Sequence, residues 1–296
     1  MEDPKDVMPN VTVTQNANKP ANPLAGYYRQ PKIYIMLPSK GQWYPEGALD
    51  KSEDGQYPVY AMTAADELMY KTPDALMNGN ATTEVIKSCV PAIKEPWTMP
   101  TLDVDACLVA IRIATYGEKM EVNTVCPKCN EEQKYDYQLT EHLEKLAQFN
   151  YNDKVQIGEL VFHLKPYSYK EITSKQIQQI EQQKIFDIVS NDDMSEEEKI
   201  DKFGASFIKL TKLTVDVVTD SISAIESPQG VTDDRQHIAD FMKNTDKSIF
   251  QAISDHLNVN KRALDLEARK VKCGDCSHEF NVTITMDQAN FFAVRS

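Results

Sequence analysis

Along the first 30 residues, apolar positions follow neither a helical nor a strand period. Pro4, Pro9, Pro20 and Pro23 punctuate a stretch rich in asparagine, so residues 1–30 read as an extended arm, disordered when free and ordered against a partner. Ile33-Tyr34-Ile35-Met36-Leu37 is the first strand-like run, stopped by Pro38. Gln56 to Met62 supplies a second, and Pro58, which lacks an amide hydrogen, predicts an edge position for it. Helical signals follow. Thr63-Ala64-Ala65-Asp66 has the form of a capping box. Thr72-Pro73 opens another segment with Gly79 as its terminator, and Thr83 to Val90 is a third, ended by Pro91. In Asp103 to Tyr116, residues Val104, Cys107, Leu108, Ile111 and the stem of Arg112 share one face, and Gly117 closes the helix.

Strand alternation returns at Val122 to Tyr137, a hairpin carrying Cys126-Pro127-Lys128-Cys129 at its tip. Lys154 to Lys165 is a second hairpin, turning near Ile157-Gly158-Glu159. Beyond Pro166 the pattern is helical. Ser168-Tyr169-Lys170-Glu171 is a capping box for a helix running to about Val189, and Ser195-Glu196-Glu197-Glu198 is another. The second opens a helix whose stripe of Ile200, Phe203, Phe207, Leu210, Thr214 and Val217 alternates steps of three and four, which predicts a buried face. Shorter helices are expected near Asp233–Lys243 and Asp246–Leu257, and Lys270 to Thr285 forms a closing hairpin around Cys273-Gly274-Asp275-Cys276. The expected architecture is α+β, mainly helical, with short β-hairpins and a split four-cysteine zinc ribbon. Its parts are the arm 1–30, a mixed α/β part 31–121, ribbon halves 122–137 and 270–285, a hairpin-plus-helix insertion 138–269 and a tail 286–296.

Composition narrows the function. The 296 residues are 41% apolar and 26% charged, ordinary globular values. Thirty-two basic residues against 45 acidic ones give a net charge of -13, which argues against a surface built to neutralise nucleic-acid phosphates. No apolar run approaches the roughly 18 residues of a membrane span, and the acidic start Met1-Glu2-Asp3-Pro4-Lys5-Asp6 is no signal peptide. No phosphate-binding glycine loop, dinucleotide fingerprint or serine-nucleophile motif is present. His142, His163, His237, His256 and His278 are scattered, so no catalytic constellation forms and an enzyme is not expected. The acids Asp192, Asp193 and Glu196 to Glu198 sit at a helix start, where the helix dipole favours negative charge.

The six cysteines carry the sharpest signal. Cys89 and Cys107 lie alone in apolar stretches and read as small core hydrophobes. Cys126, Cys129, Cys273 and Cys276 form two CxxC pairs, each between strand-like flanks, and two thiolates converging from each hairpin tip suit a tetrahedral Zn2+ site. Reduced cysteines without metal and redox chemistry are the alternatives, and His278 could replace one sulfur. An all-thiolate zinc site is closed to substrate, so its role is structural. The basic run of Lys261, Arg262, Arg269, Lys270 and Lys272 beside the second pair leaves a zinc-ribbon nucleic-acid binder as a rival reading.

Several segments together have a familiar look. They are Leu37-Pro38-Ser39-Lys40-Gly41 running into Trp43-Tyr44-Pro45, then Met62-Thr63-Ala64-Ala65-Asp66-Glu67, and Pro73-Asp74-Ala75-Leu76 with Asn78-Gly79. Ile111-Arg112-Ile113-Ala114-Thr115-Tyr116-Gly117 then leads into the first CxxC, and the closing hairpin with Phe291-Phe292 fits the same plan. Over most of residues 31–296 the chain resembles the baseplate proteins of T4-type contractile-tailed bacteriophages, the family of the baseplate hub subunit or hub assembly factor. The resemblance implies a structural component of the baseplate, near its hub, in the virion tail and assembled in the host cytoplasm. It implies other baseplate and tail tube or hub proteins as partners, with copies of the chain itself in a symmetric ring as one arrangement. No family catalytic residues carry over. An assembly factor of the same fold, absent from the mature virion, is the alternative within the family.

Overall fold

The computed structural model describes residues 22–72, 79–174, 176, 195–266, 268–282 and 292, with only the backbone described at Ala25 and at part of 196–214. The first 21 positions of the predicted arm, the segment opened by Thr72-Pro73, Asp192-Asp193, most of the helix predicted to reach Val189, and Phe291 lie outside the described residues. Residues 1–30 group as a unit of their own, in which the Asn22 side-chain Oδ1 accepts from the Leu24 N–H and Ala25–Tyr27 make one 3₁₀ turn.

The rest of the chain is mixed α+β, built from short antiparallel sheets and helices. Strands β1 (Ile33–Met36) and β2 (Gln56–Val59) pair with each other, and Pro58 stands opposite Tyr34 in this two-stranded sheet. Helices α1 (Ala64–Tyr70), α2 (Asn80–Cys89) and α3 (Thr101–Tyr116) follow. Thr63 and Asp66 form the expected capping box, and Asp66 also accepts from the Ser88 hydroxyl at 3.0 Å, tying α1 to α2. The segment Gly79 is expected to terminate lies outside the described residues. Gly79 is the N-cap of α2 with φ +78°, and a Cβ there would stand 3.1 Å from Trp97 and Thr173.

Helix α3 is the axis of the first core. Apart from Asp105, every residue from Leu102 to Ile113 is buried, so the helix is covered all round and not along the single face its pattern suggested. Ala106, Val109 and Ala110 on the remaining sides are small enough to let neighbouring elements close over them. Cys89 and Cys107 are fully buried among Val85, Ile86, Leu108 and Ile111. The same core includes Tyr137, Leu139 and Phe292, whose ring lies 4.5 Å from that of Tyr70.

One buried charge organises the segment that crosses α3. Asp103 accepts from the Ser39 N–H at 2.8 Å, from the Ser39 hydroxyl and from the Tyr44 hydroxyl at 2.9 Å. Residues 37–45 are thereby held against the first turn of α3, and Gly41 turns the chain with φ +72°.

Hairpin β3 (Lys119–Val125) and β4 (Glu132–Gln138) runs straight into α4 (Leu139–Gln148), a helix the sequence reading lacks. The second core lies around a four-stranded sheet ordered β5 (Lys154–Ile157), β6 (Leu160–Leu164), β7 (Ile222–Ser227) and β8 (Gly230–Thr232). The sequence pattern does not predict its last two strands. Helices α5 (Glu196–Ser221), α6 (Arg235–Asn244) and α7 (Lys247–Arg262) complete this part. Phe162, Leu164, Val218, Ile222, Ile225, Ile238, Met242 and Ile253 are its buried residues. Of the stripe predicted on α5, Ile200 is 69% exposed and Val217 is half-buried, which corrects the expected burial at its start. The side chains of Phe203, Phe207, Leu210 and Thr214 lie outside the described residues. Strands β9 (Arg269–Lys272) and β10 (Glu279–Val282) form the closing hairpin.

Asp103→Ala strands three buried donors and is expected to lower the unfolding free energy by about 3 kcal/mol in chemical denaturation. Asp103→Asn removes the titrating group, at the cost of one acceptor oxygen. Burial pushes the Asp103 carboxyl from 3.8 up to about 6, against the donors of Ser39 and Tyr44, which pull it down. A carboxyl protonated more readily in the folded state adds stability as pH falls from about 7 to 4. Wild type is therefore expected to gain on Asp103→Asn across that interval, and a pH-independent difference would contradict the assignment.

Candidate metal centre

Two hairpin tips of the same construction meet here. At the first, the Cys126 N–H donates to the Glu131 carbonyl at 3.0 Å and the Asn130 N–H returns to the Cys126 carbonyl at 2.9 Å. At the second, the Cys273 N–H donates to the His278 carbonyl at 2.9 Å and the Ser277 N–H to the Cys273 carbonyl at 3.0 Å. The residue after each second cysteine, Asn130 or Ser277, turns left-handed at φ 59° or 57°. Each CxxC is thus wound into a tight knuckle that aims both sulfurs the same way.

The knuckles face each other. Cys126 Sγ lies 3.6 Å from Cys276 Sγ, and Cys129 Sγ lies 3.6 Å from Cys273 Sγ. All four sulfurs lie within 4.8 Å of one another. A tetrahedron with arms of about 2.3 Å, the zinc–sulfur length, has edges of about 3.8 Å. The cage is therefore the size of a four-thiolate metal site, and no other group of potential ligands occurs among the described residues. Cys126 and Cys273 are buried, while Cys129 and Cys276 are half-buried at the rim.

The sulfurs do not share charge evenly. Burial raises the Cys126 thiol, but N–H groups of Cys129 and Lys128 and the sulfurs of Cys129 and Cys276 bring it down to about 7. The Glu131 N–H lowers Cys129, yet burial and the neighbouring sulfurs push it up to about 12. One thiolate makes its neighbours harder to ionise. A cation among them reverses that penalty and holds all four deprotonated.

Contacts outside the sulfurs fix the hairpins together, and the sequence reading missed them. Gln133 donates from its amide to Asp275 at 2.6 Å and accepts the Gly274 N–H at 2.9 Å. The Tyr135 hydroxyl donates to the Lys272 carbonyl at 3.1 Å. Arg269 pairs with Glu141 at 2.9 Å and lies over the Tyr137 ring at 5.5 Å. Gln133, Tyr135 and Tyr137 alternate along β4, so one strand face meets the second hairpin.

The other sequence candidates take no part. The His278 ring stacks on Phe280 at 6.2 Å and is not in the sulfur cluster. His163 faces Glu226 at 3.4 Å, His256 meets the Asn152 carbonyl at 2.9 Å, and His142 is buried in α4. Glu198 donates its N–H to Ser195, as a helix start requires. The basic edge is partly neutralised, since Lys270 pairs with Glu279 at 2.5 Å and Arg269 with Glu141.

With this geometry in place, comparison with known proteins is informative at one level. Residues 51–293 match a family model described as T4 bacteriophage base plate protein, a span that takes in both hairpins and all four cysteines. No curated protein and no solved structure matches the chain.

Gln133→Ala removes two hydrogen bonds between the hairpins and is expected to cost about 1–2 kcal/mol. Hydrogen exchange should quicken at the Gly274 amide first. Unchanged protection there would show that the sulfurs alone hold the hairpins in register.

Proposed function

Because the chain belongs to the T4 bacteriophage base plate protein family, we propose that it is a structural component of a contractile-tail baseplate, in the hub region. It acts by protein–protein contact in tail assembly and has no catalytic role. The observation that carries this reading is the match over residues 51–293, which covers most of the chain. The construction of the site supports it: four converging cysteines make a closed staple, the kind of centre that contributes folding energy and leaves no coordination position for substrate.

In this reading Cys126, Cys129, Cys273 and Cys276 hold one structural Zn2+. The two ribbon halves, 122–137 and 270–285, close the insertion 138–269 into a lobe on the mixed part 31–121, and the tail 286–296 follows. Residues 1–30 are the arm that reaches neighbouring subunits. Other baseplate and tail tube or hub proteins are the partners, together with copies of the chain itself in a ring. The site of action is the virion tail, after assembly in the host cytoplasm. Among the described residues no helix is long and apolar enough to cross a membrane. The net charge of -13 and the ion pairs on the basic edge weigh against nucleic acid as a partner.

Mass spectrometry of intact, purified particles tests the role. The chain is expected at a fixed copy number relative to other tail proteins. Its absence from particles, with assembly failing when it is removed from the infected cell, would make it an assembly factor.

Metal analysis tests the staple separately. About one zinc per chain is expected, lost in Cys126→Ser or Cys273→Ser and retained in Cys89→Ala. Stripping the metal should lower Tm by about 10 °C. Full stability without metal would remove the structural role.

A further inference from the structure

Trp43 is held in a conformation that a side chain of its size avoids. Its φ is 63°, in the left-handed region that is an outlier for a bulky residue. Strain of about 1–3 kcal/mol at such a position persists only where the surroundings over-determine it. Here the buried Asp103 supplies that constraint, because Ser39 and Tyr44, on either side of Trp43 in the chain, both donate to its carboxylate. The indole also meets the Tyr151 ring edge-on at 5.3 Å.

The strained residue forms the wall of a groove of about 230 Å³. Trp97, Pro100, Pro166, Lys165 and Lys170 are among the residues that line the rest of it. Trp97 is itself fixed by stacking on Tyr169 at 5.6 Å. Two indoles beside prolines suit the pyrrolidine rings of a polyproline-II segment, which aromatic-lined grooves recognise. Such a segment makes no internal hydrogen bonds, so its carbonyls remain available to ammonium donors such as Lys165 and Lys170.

The chain carries a segment of that chemistry. Lys19-Pro20-Ala21-Asn22-Pro23 places two prolines at PxxP spacing, and Pro23 is exposed. We propose that the groove walled by Trp43 and Trp97 receives the Pro20–Pro23 segment of a second copy of this chain. The contact is heterologous, segment into groove, so it can repeat from copy to copy and close into a ring. It rests on the groove and the segment, and none of its tests touches the cysteine site.

Sedimentation velocity of the full chain over a range of concentrations tests it, with Trp43→Ala and Pro20→Ala/Pro23→Ala variants run alone and mixed. Wild type is expected to self-associate, and each variant about tenfold more weakly. An equimolar mixture should regain association, because one variant offers an intact segment and the other an intact groove. The proline variant leaves the groove residues unaltered, so its loss of association does not depend on the folding of Trp43→Ala. Association that survives Pro20→Ala/Pro23→Ala overturns the proposal, as does a wild-type chain that stays monomeric throughout.

Discussion

Four sulfurs from two hairpins 144 residues apart in sequence meet in one cage, and the ends of a long insertion are fixed by that meeting. A cross-link that closes a loop of this length removes about 5 kcal/mol of chain entropy from the unfolded state. The hydrogen bonds of Gln133 and Tyr135 across the same junction are solvent-exposed, each worth about 1 kcal/mol at most. They set the register of the two hairpins, and a metal shared by the four sulfurs would supply the strength. A cage of this kind needs thiolates: backbone N–H groups and neighbouring sulfurs bring the Cys126 thiol down while burial and neighbouring sulfurs push Cys129 up, a penalty that a cation would relieve.

Either side of that junction the chain builds a separate core. The first is arranged around α3, covered on all sides, with Asp103 as a buried acceptor that pins residues 37–45. The second is the sheet β5–β8 with the helices on it, centred on Phe162, Ile225 and Ile253. A metal held by the four cysteines, as proposed, would fasten the insertion at its base and leave the outer surfaces of both parts available for neighbours. That division suits a subunit of a large assembly.

Much of this was legible in the residues because local physics repeats. Thr63 with Asp66, Ser168 with Glu171 and Ser195 with Glu198 each close a helix start that the sequence spells out. The cysteine knuckles were legible for the same reason, since CxxC between strand-like flanks constrains where two sulfurs point. The misses share a cause as well. Gln138 is both the last residue of β4 and the N-cap of α4, without a side-chain cap, so nothing marks the change from strand to helix. Ile222 likewise ends α5 and begins β7 with no glycine or proline between them. Gly79 also starts the helix Asn80–Cys89 as its left-handed N-cap, a role no local signal separates from that of a terminator, since a left-handed residue serves either end. Gln133 gave no local signal at all, since its partners Gly274 and Asp275 lie in the far hairpin.

X-ray absorption at the zinc edge of the purified chain tests the central claim most directly. Four sulfur ligands at about 2.3 Å are expected, with no lighter ligand in the shell. A shell containing nitrogen or oxygen, or a chain that carries no zinc while remaining folded, would contradict the account of the four cysteines as the metal staple of this fold.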